Sequence, residues 1–150
     1  MSIHLNDQGI LVIPDEYDDT LGTFLFLDIG YHPDKCLMAL YYVAQIEQRR
    51  SEREVVGGES VTVALTPEHA DMEDHFDPLR SRRIPFAEFK SAIEELWVVR
   101  YRANSEPHAA RVFHSDLSPA AGSLLTWEET FQQRHPYRGR IEGIPAWDPD

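Results

Sequence analysis

The chain has 150 residues, 42% of them hydrophobic and 27% charged, which suits one domain and leaves no room for two cores of comparable size. Its 14 Lys and Arg stand against 26 Asp and Glu, giving a formal net charge of −12. That balance argues against a general nucleic-acid binder, whose affinity rests on neutralising phosphates, and against docking on anionic lipid.

Cys36 has no partner in the chain for a disulfide, and its apolar neighbours Leu37, Met38, Ala39 and Leu40 predict a buried, inert thiol. Residues 1–7 lack the basic and apolar regions of a secretory signal. The longest apolar run, Leu21 to Ile29, is interrupted by Gly22 and Asp28 and falls short of the roughly 18 residues that span a bilayer. A cytoplasmic protein without a membrane segment is the expectation.

Ile3 and Leu5, the turn signal Asn6-Asp7-Gln8-Gly9 and the β-prone run Ile10 to Ile13 predict a hairpin closed by Pro14. Asp15-Glu16-Tyr17-Asp18-Asp19 follows as an acidic loop. Thr23 to Leu27 is apolar almost throughout and reads as a strand buried on both faces. A long helix is expected from Pro33, with Asp34 in its first turn, Leu37, Leu40, Tyr41 and Ala44 on one face, and Arg49 and Arg50 in its last turns. Gly57-Gly58 is a turn. From Ser60 to Leu65, Val61, Val63 and Leu65 alternate with Ser60, Thr62 and Ala64, the pattern of a half-buried strand.

Thr66-Pro67-Glu68 has the form of a helix start and predicts a short polar helix over Glu68 to Phe76. Phe86, Phe89, Ile93 and Leu96 or Trp97 mark the clearest amphipathic helix, starting after Pro85 and breaking near Trp97. Arg111 to His114 reads as a short strand. Thr126-Trp127-Glu128-Glu129 resembles a capping box and predicts a last helix to about Arg134, stopped by Pro136. Residues 137–150 form an irregular C-terminal tail, with Ile141, Ile144 and Trp147 able to strap it onto the body. The reading is an α+β single domain over 1–150, mainly an antiparallel sheet packed with two or three helices.

Chemistry-bearing residues are densest from His69 to Asp77. On a helix His69 and Glu73 are neighbours, as are Asp71 and His75; on a strand His69, Asp71, Glu73, His75 and Asp77 share one face. His69, Glu73 and His75 are therefore the candidate ligands for a divalent cation, in a small metal-dependent enzyme or ligand-binding domain. The two-histidine metalloprotease pattern is absent, and a solvated acidic segment without metal or cofactor is expected. His114-Ser115-Asp116 cannot by itself form a catalytic triad, because strand neighbours point to opposite faces. No nucleophile elbow, phosphate-cradling loop or dinucleotide fingerprint occurs.

Charge distribution says more. Residues 1–50 carry 3 basic and 8 acidic groups and residues 51–77 carry 1 and 8, whereas residues 78–102 carry 6 and 3. Arg80, Arg82 and Arg83 form a basic knot expected to pair with Glu73, Asp74 or Asp77. If the acidic segments converge, they form a face that steers a basic partner. The candidate contacts are Asp15, Glu16, Tyr17, Asp18 and Asp19 from the loop, with Glu68, Asp71, Glu73 and Asp74. The class this implies is a non-catalytic acidic protein that occludes a basic protein such as a toxin or nuclease, in the manner of an inhibitor, antitoxin or immunity protein. Trp97 and Trp127 are assigned to the core.

Overall fold

The computed structural model describes residues 2–30, 32–101 and 117–146. Strands β1 (His4–Leu5) and β2 (Leu11–Val12) form the expected antiparallel hairpin. Its turn is held by the Asn6 side chain, which accepts from the backbone N–H of Gln8 and Ile10.

The segment expected as a buried strand is helical instead. Helix α1 (Asp19–Thr23) runs directly into a π-helix over Phe24–Ile29. Asp18 caps it, accepting from Thr20 N and Leu21 N. Leu21, Phe24, Leu25 and Ile29 are buried while Phe26 and Leu27 face outward, a helical spacing hidden inside a mostly apolar run. Gly30 ends the π-helix at φ +41, where a Cβ would collide with the Phe26 carbonyl.

Helix α2 (Pro33–Glu47) begins at its proline as expected but stops before Arg49 and Arg50. Arg49 adopts φ +58 just beyond the helix. A four-stranded antiparallel meander follows in the order β3 (Glu54–Gly57), β4 (Val61–Leu65), β5 (His69–Asp74) and β6 (Arg82–Pro85). Strand β4 is the alternating strand read from the sequence, whereas β3 is too short to stand out there.

Strand β5 replaces the expected 68–76 helix. The Thr66 hydroxyl does accept from His69 N, as an N-cap would, but Thr66 N also donates to the His69 carbonyl. That reciprocal closure makes Pro67-Glu68 the loop of a tight hairpin. Ala70, Met72 and Asp74 point inward and His69, Asp71 and Glu73 outward, so the period is two.

Helix α3 (Phe86–Arg100) starts after Pro85 and buries Phe86, Phe89, Ile93, Leu96 and Trp97 as expected. It does not break near Trp97. Arg100 and Tyr101 continue the buried face: the guanidinium of Arg100 donates to Gly9 O, and the Tyr101 hydroxyl donates to Gly30 O. Helix α4 (Pro119–Phe131) is capped by Ser118, whose side chain accepts from Ala121 N, so the capping-box pattern at Thr126 lies mid-helix. The expected strand at 111–114, the triplet 114–116 and Trp147 lie outside the described residues.

Helices α2 and α3 pack on the inner face of the sheet, and α4 packs on α2. Cys36, Trp97 and Trp127 sit in the core, as expected. Burial pushes the Cys36 thiol far above its ordinary pKa and leaves it unreactive. Residues 132–146 hold turns and one bridge, Ile141 to Ile144, but are firmly anchored. Arg138 donates twice to Glu128, and buried Tyr137 donates to Glu94 Oε2 at 2.8 Å. No helix among the described residues is long and apolar enough to cross a membrane.

The Tyr137 contact changes what the polar face of α3 does. Glu88→Ala on the exposed side is expected to move stability by less than about 0.5 kcal/mol. Glu94→Ala, which strands the buried Tyr137 hydroxyl, is expected to cost about 1–3 kcal/mol. Urea denaturation of the two variants side by side checks the difference.

Candidate partner-binding surface

The acidic loop 15–19 and the turn between β5 and β6 are neighbours. The Thr20 hydroxyl donates to the Arg80 carbonyl, Arg80 Nη2 donates to Thr23 Oγ1 at 3.2 Å, and Arg82 Nε lies 3.8 Å from Asp18 Oδ2. Two of the acidic segments singled out in the sequence thus meet, with the arginine knot between them.

The knot is internally paired. Arg80 reaches Asp74 at 3.5 Å, as expected, and Arg83 forms a two-pronged pair with Asp71 directly across from it on β5, at 2.6 and 3.1 Å. Glu73 and Asp77 do not take part; Asp18 and Asp71 serve instead. The Arg83 guanidinium holds the Asp71 carboxyl below its usual pKa. Asp74 is also held low, first by the backbone N–H of Asp77 and with help from that of Phe76, both of which it accepts at 2.9 Å.

The nine acidic-face candidates therefore fall into two groups. Asp18, Asp71 and Asp74 are committed to caps and internal ion pairs. Tyr17 is half-buried and donates its hydroxyl to Glu95 Oε2 at 2.7 Å; burial first, and then this contact, raise its pKa. The side chains of Asp15, Glu16, Asp19, Glu68 and Glu73 have no hydrogen bond or ion pair among the described residues, and all five are exposed.

Sequence reasoning missed the apolar part of this surface. Phe76 is 80% and Leu79 87% exposed on the β5–β6 turn, whose short 3-10 helix Pro78–Arg80 is capped by Asp77. Phe26 and Leu27, also exposed, line a shallow groove with Asp15, Asp18, Asp19 and Arg80. Large side chains left in water beside an acidic rim are what a protein interface requires, because fully desolvated apolar anchors carry most binding energy. The sequence signal was Phe76 and Leu79 standing alone within a polar stretch.

The His69–Asp77 segment does not gather as a metal centre. Along an extended strand His69 and His75 are roughly 20 Å apart, and His69 and Glu73 roughly 13 Å. Both ring nitrogens of His75 are engaged: Nδ1 donates to the Glu59 carbonyl at 2.8 Å and Nε2 accepts from the Thr62 hydroxyl at 2.6 Å. Among the described residues no three ligating side chains converge.

A second concavity lies elsewhere. A cleft of about 710 Å³ opens between the π-helix, α2, α4 and β3, walled by Phe24, Met38, Tyr42, Trp127 and Phe131, with His32, Asp34 and Lys35 at α2's first turn. Its volume falls in the range of small-ligand sites. No family model matches this chain, and comparison with curated proteins and with solved structures gave no match.

Proposed function

We propose that this protein is a non-catalytic, cytoplasmic binding protein that docks on and occludes a basic protein partner, in an inhibitor, antitoxin or immunity-type role; a nuclease fits that chemistry. The reading is carried by one observation: Phe76 and Leu79 stand almost fully exposed on a turn tied to the acidic 15–19 loop. The net charge of −12 supports it, since the unpaired carboxylates of Asp15, Glu16, Asp19 and Glu73 would attract a basic surface while the apolar pair anchors it. Reading the His69–Asp77 segment as a metal or ligand site has no comparable support, because its groups are spread along a strand.

The test is capture from source cells on immobilised protein, comparing wild type with a Phe76→Ser and Leu79→Ser double variant. Both side chains are solvent-exposed, so the double variant should fold with unchanged stability. The expected result is a basic protein held by wild type and weakened at least about tenfold by the double substitution, a loss of about 1.4 kcal/mol or more. A partner retained equally by both proteins contradicts the assignment of this surface.

A further inference from the structure

Ser123, Thr126, Trp127, Thr130 and Phe131 recur at helical spacing and bring one face of α4 to the 710 Å³ cleft. A helix face that walls an apolar cleft is ordinarily aliphatic or aromatic; this one carries three hydroxyls. The Thr130 hydroxyl donates to the Thr126 carbonyl one turn back at 2.8 Å, the usual way a helix satisfies such a group. The other two do not follow it. Ser123 is 8% exposed, and its hydroxyl makes no hydrogen bond among the described residues. The Thr126 hydroxyl is out of water and has no partner. The Trp127 indole N–H meets only the Met38 sulfur, a weak acceptor, at 2.9 Å.

Each buried donor left without an oxygen or nitrogen acceptor costs stability, and a molecule that brings the acceptor removes that cost. Flat apolar rings stand around these donors: Trp127 and Phe131, with centroids 4.8 Å apart, and Phe24 and Tyr42 on the walls supplied by the π-helix and α2. Charge selects nothing here. Asp34 and Lys35 at the first turn of α2 cancel, and neither forms an ion pair among the described residues. The Asp28 carboxylate on the wall is engaged by Ser60 N and Val61 N. No net charge is left to hold an ionic ligand.

We infer that this cleft binds a small, neutral, flat aromatic compound with a carbonyl oxygen on one edge. The ring system packs against the aromatic walls, where stacked and edge-on contacts reward a planar ligand. The carbonyl is the acceptor that the Ser123 and Thr126 hydroxyls and the Trp127 N–H lack. The site is separate from the acidic-loop surface: the cleft takes Phe24, Asp28 and Ile29 from the π-helix, whereas the groove beside the acidic loop takes Phe26 and Leu27. Binding here requires no basic partner, and its failure leaves the acidic-surface reading untouched.

The experiment titrates the full chain with coumarin, with naphthalene, which has the rings but no acceptor, and with coumarin-3-carboxylate, which adds a charge. Binding is read from the indole N–H resonance of Trp127, assigned by its loss in Trp127→Phe. Coumarin is expected to move that resonance and to bind at least about tenfold tighter than naphthalene, and the carboxylate to bind no tighter than coumarin. A Ser123→Ala and Thr126→Val double variant removes only hydroxyls without partners. It should melt at or above the wild-type temperature and bind coumarin as weakly as naphthalene. Phe131→Ala, on an exposed wall residue, should weaken both compounds and keeps the test open if the double variant fails to fold. An unmoved Trp127 resonance, equal binding of coumarin and naphthalene to wild type, or undiminished coumarin binding to the folded variants overturns the inference. Tighter binding of the carboxylate also overturns it and assigns the cleft to an anion held by Lys35.

Discussion

Replacing Phe89 with alanine is expected to lower stability by roughly 3–5 kcal/mol, the largest loss from a single truncation proposed here. Phe89 is completely buried, and its ring packs 5.9 Å from that of Phe24 on the π-helix. It therefore joins the amphipathic helix that the sequence displays to the helical turn that it conceals. Truncation removes the transfer energy of an aromatic ring and leaves a cavity between α3 and the π-helix, neither of which can close freely. Guanidinium unfolding measures the loss as a reduced midpoint at unchanged slope. A loss below about 1 kcal/mol, in the range of ordinary surface substitutions, would mean that the π-helix does not pack there.

The second large effect is expected in acid, at His135. Burial pushes its pKa down from 6.5 to about 4. The neutral ring is held at both ends: Nε2–H donates to the Leu37 carbonyl at 2.8 Å and Nδ1 accepts from Tyr137 N at 3.1 Å. Above pH 6.5 the ring is neutral in both folded and unfolded chains and contributes no pH dependence. Between 6.5 and about 4 the unfolded chain binds the proton and the folded chain does not, so stability falls as pH falls, by on the order of 3 kcal/mol in all.

Glu128 adds to the loss at lower pH. Its burial opposes ionisation, but Arg138 and the His135 N–H outweigh that and hold the carboxyl below its usual range. Its contribution is present above the ordinary carboxylate pKa and disappears as pH drops through the lowered value. Unfolding free energies measured every half unit from pH 7 to 4 check the His135 part. His135→Gln should start less stable yet flatten the slope by up to about 1.4 kcal/mol per pH unit. An unchanged slope in that variant would assign the acid sensitivity to other groups.

Legibility in the sequence followed the physics of each segment. Helices α2 and α3 were readable because proline marks each start and their apolar residues recur at helical spacing on one face. Strand β4 was readable because Val61, Val63 and Leu65 alternate with smaller residues. The 21–29 run was not, since the apolar stretch Phe24 to Leu27 at its centre carries no period of its own, and the capping by Asp18 favours helix over strand. The 66–76 segment offers a proper cap signal that tertiary pairing with β4 and β6 overrides.

The acidic half of the surface was visible as charge. Its commitments were visible only in part: the Arg80–Asp74 pair was expected, but Asp18 and Asp71 bind arginines brought near only by the fold, and Tyr17 reaches a glutamate 78 residues away. Asp28 is the plainest omission. It is buried, and its two oxygens accept from Ser60 N and Val61 N at 2.8 Å each, fixing the turn between β3 and β4. Gly58 sits so close that a Cβ would fall 2.4 Å from Asp28 Oδ2, which explains the glycine at 58, whereas Gly57, expected in the same turn, belongs to strand β3. No local pattern announces a carboxylate that serves backbone groups 32 residues further on.

The reading of the acidic surface is tested most directly by the association rate of the captured basic partner as salt is raised, for wild type and for a variant carrying Asp15→Lys, Glu16→Lys and Asp19→Lys. These three side chains have no internal pairing, so their reversal changes the field and leaves the caps and ion pairs intact. As the screening length contracts from about 30 Å at 0.01 M to about 8 Å at physiological salt, the wild-type on-rate should fall about tenfold or more. The variant should associate slowly at every salt concentration. An on-rate indifferent both to salt and to the three reversals would contradict the account.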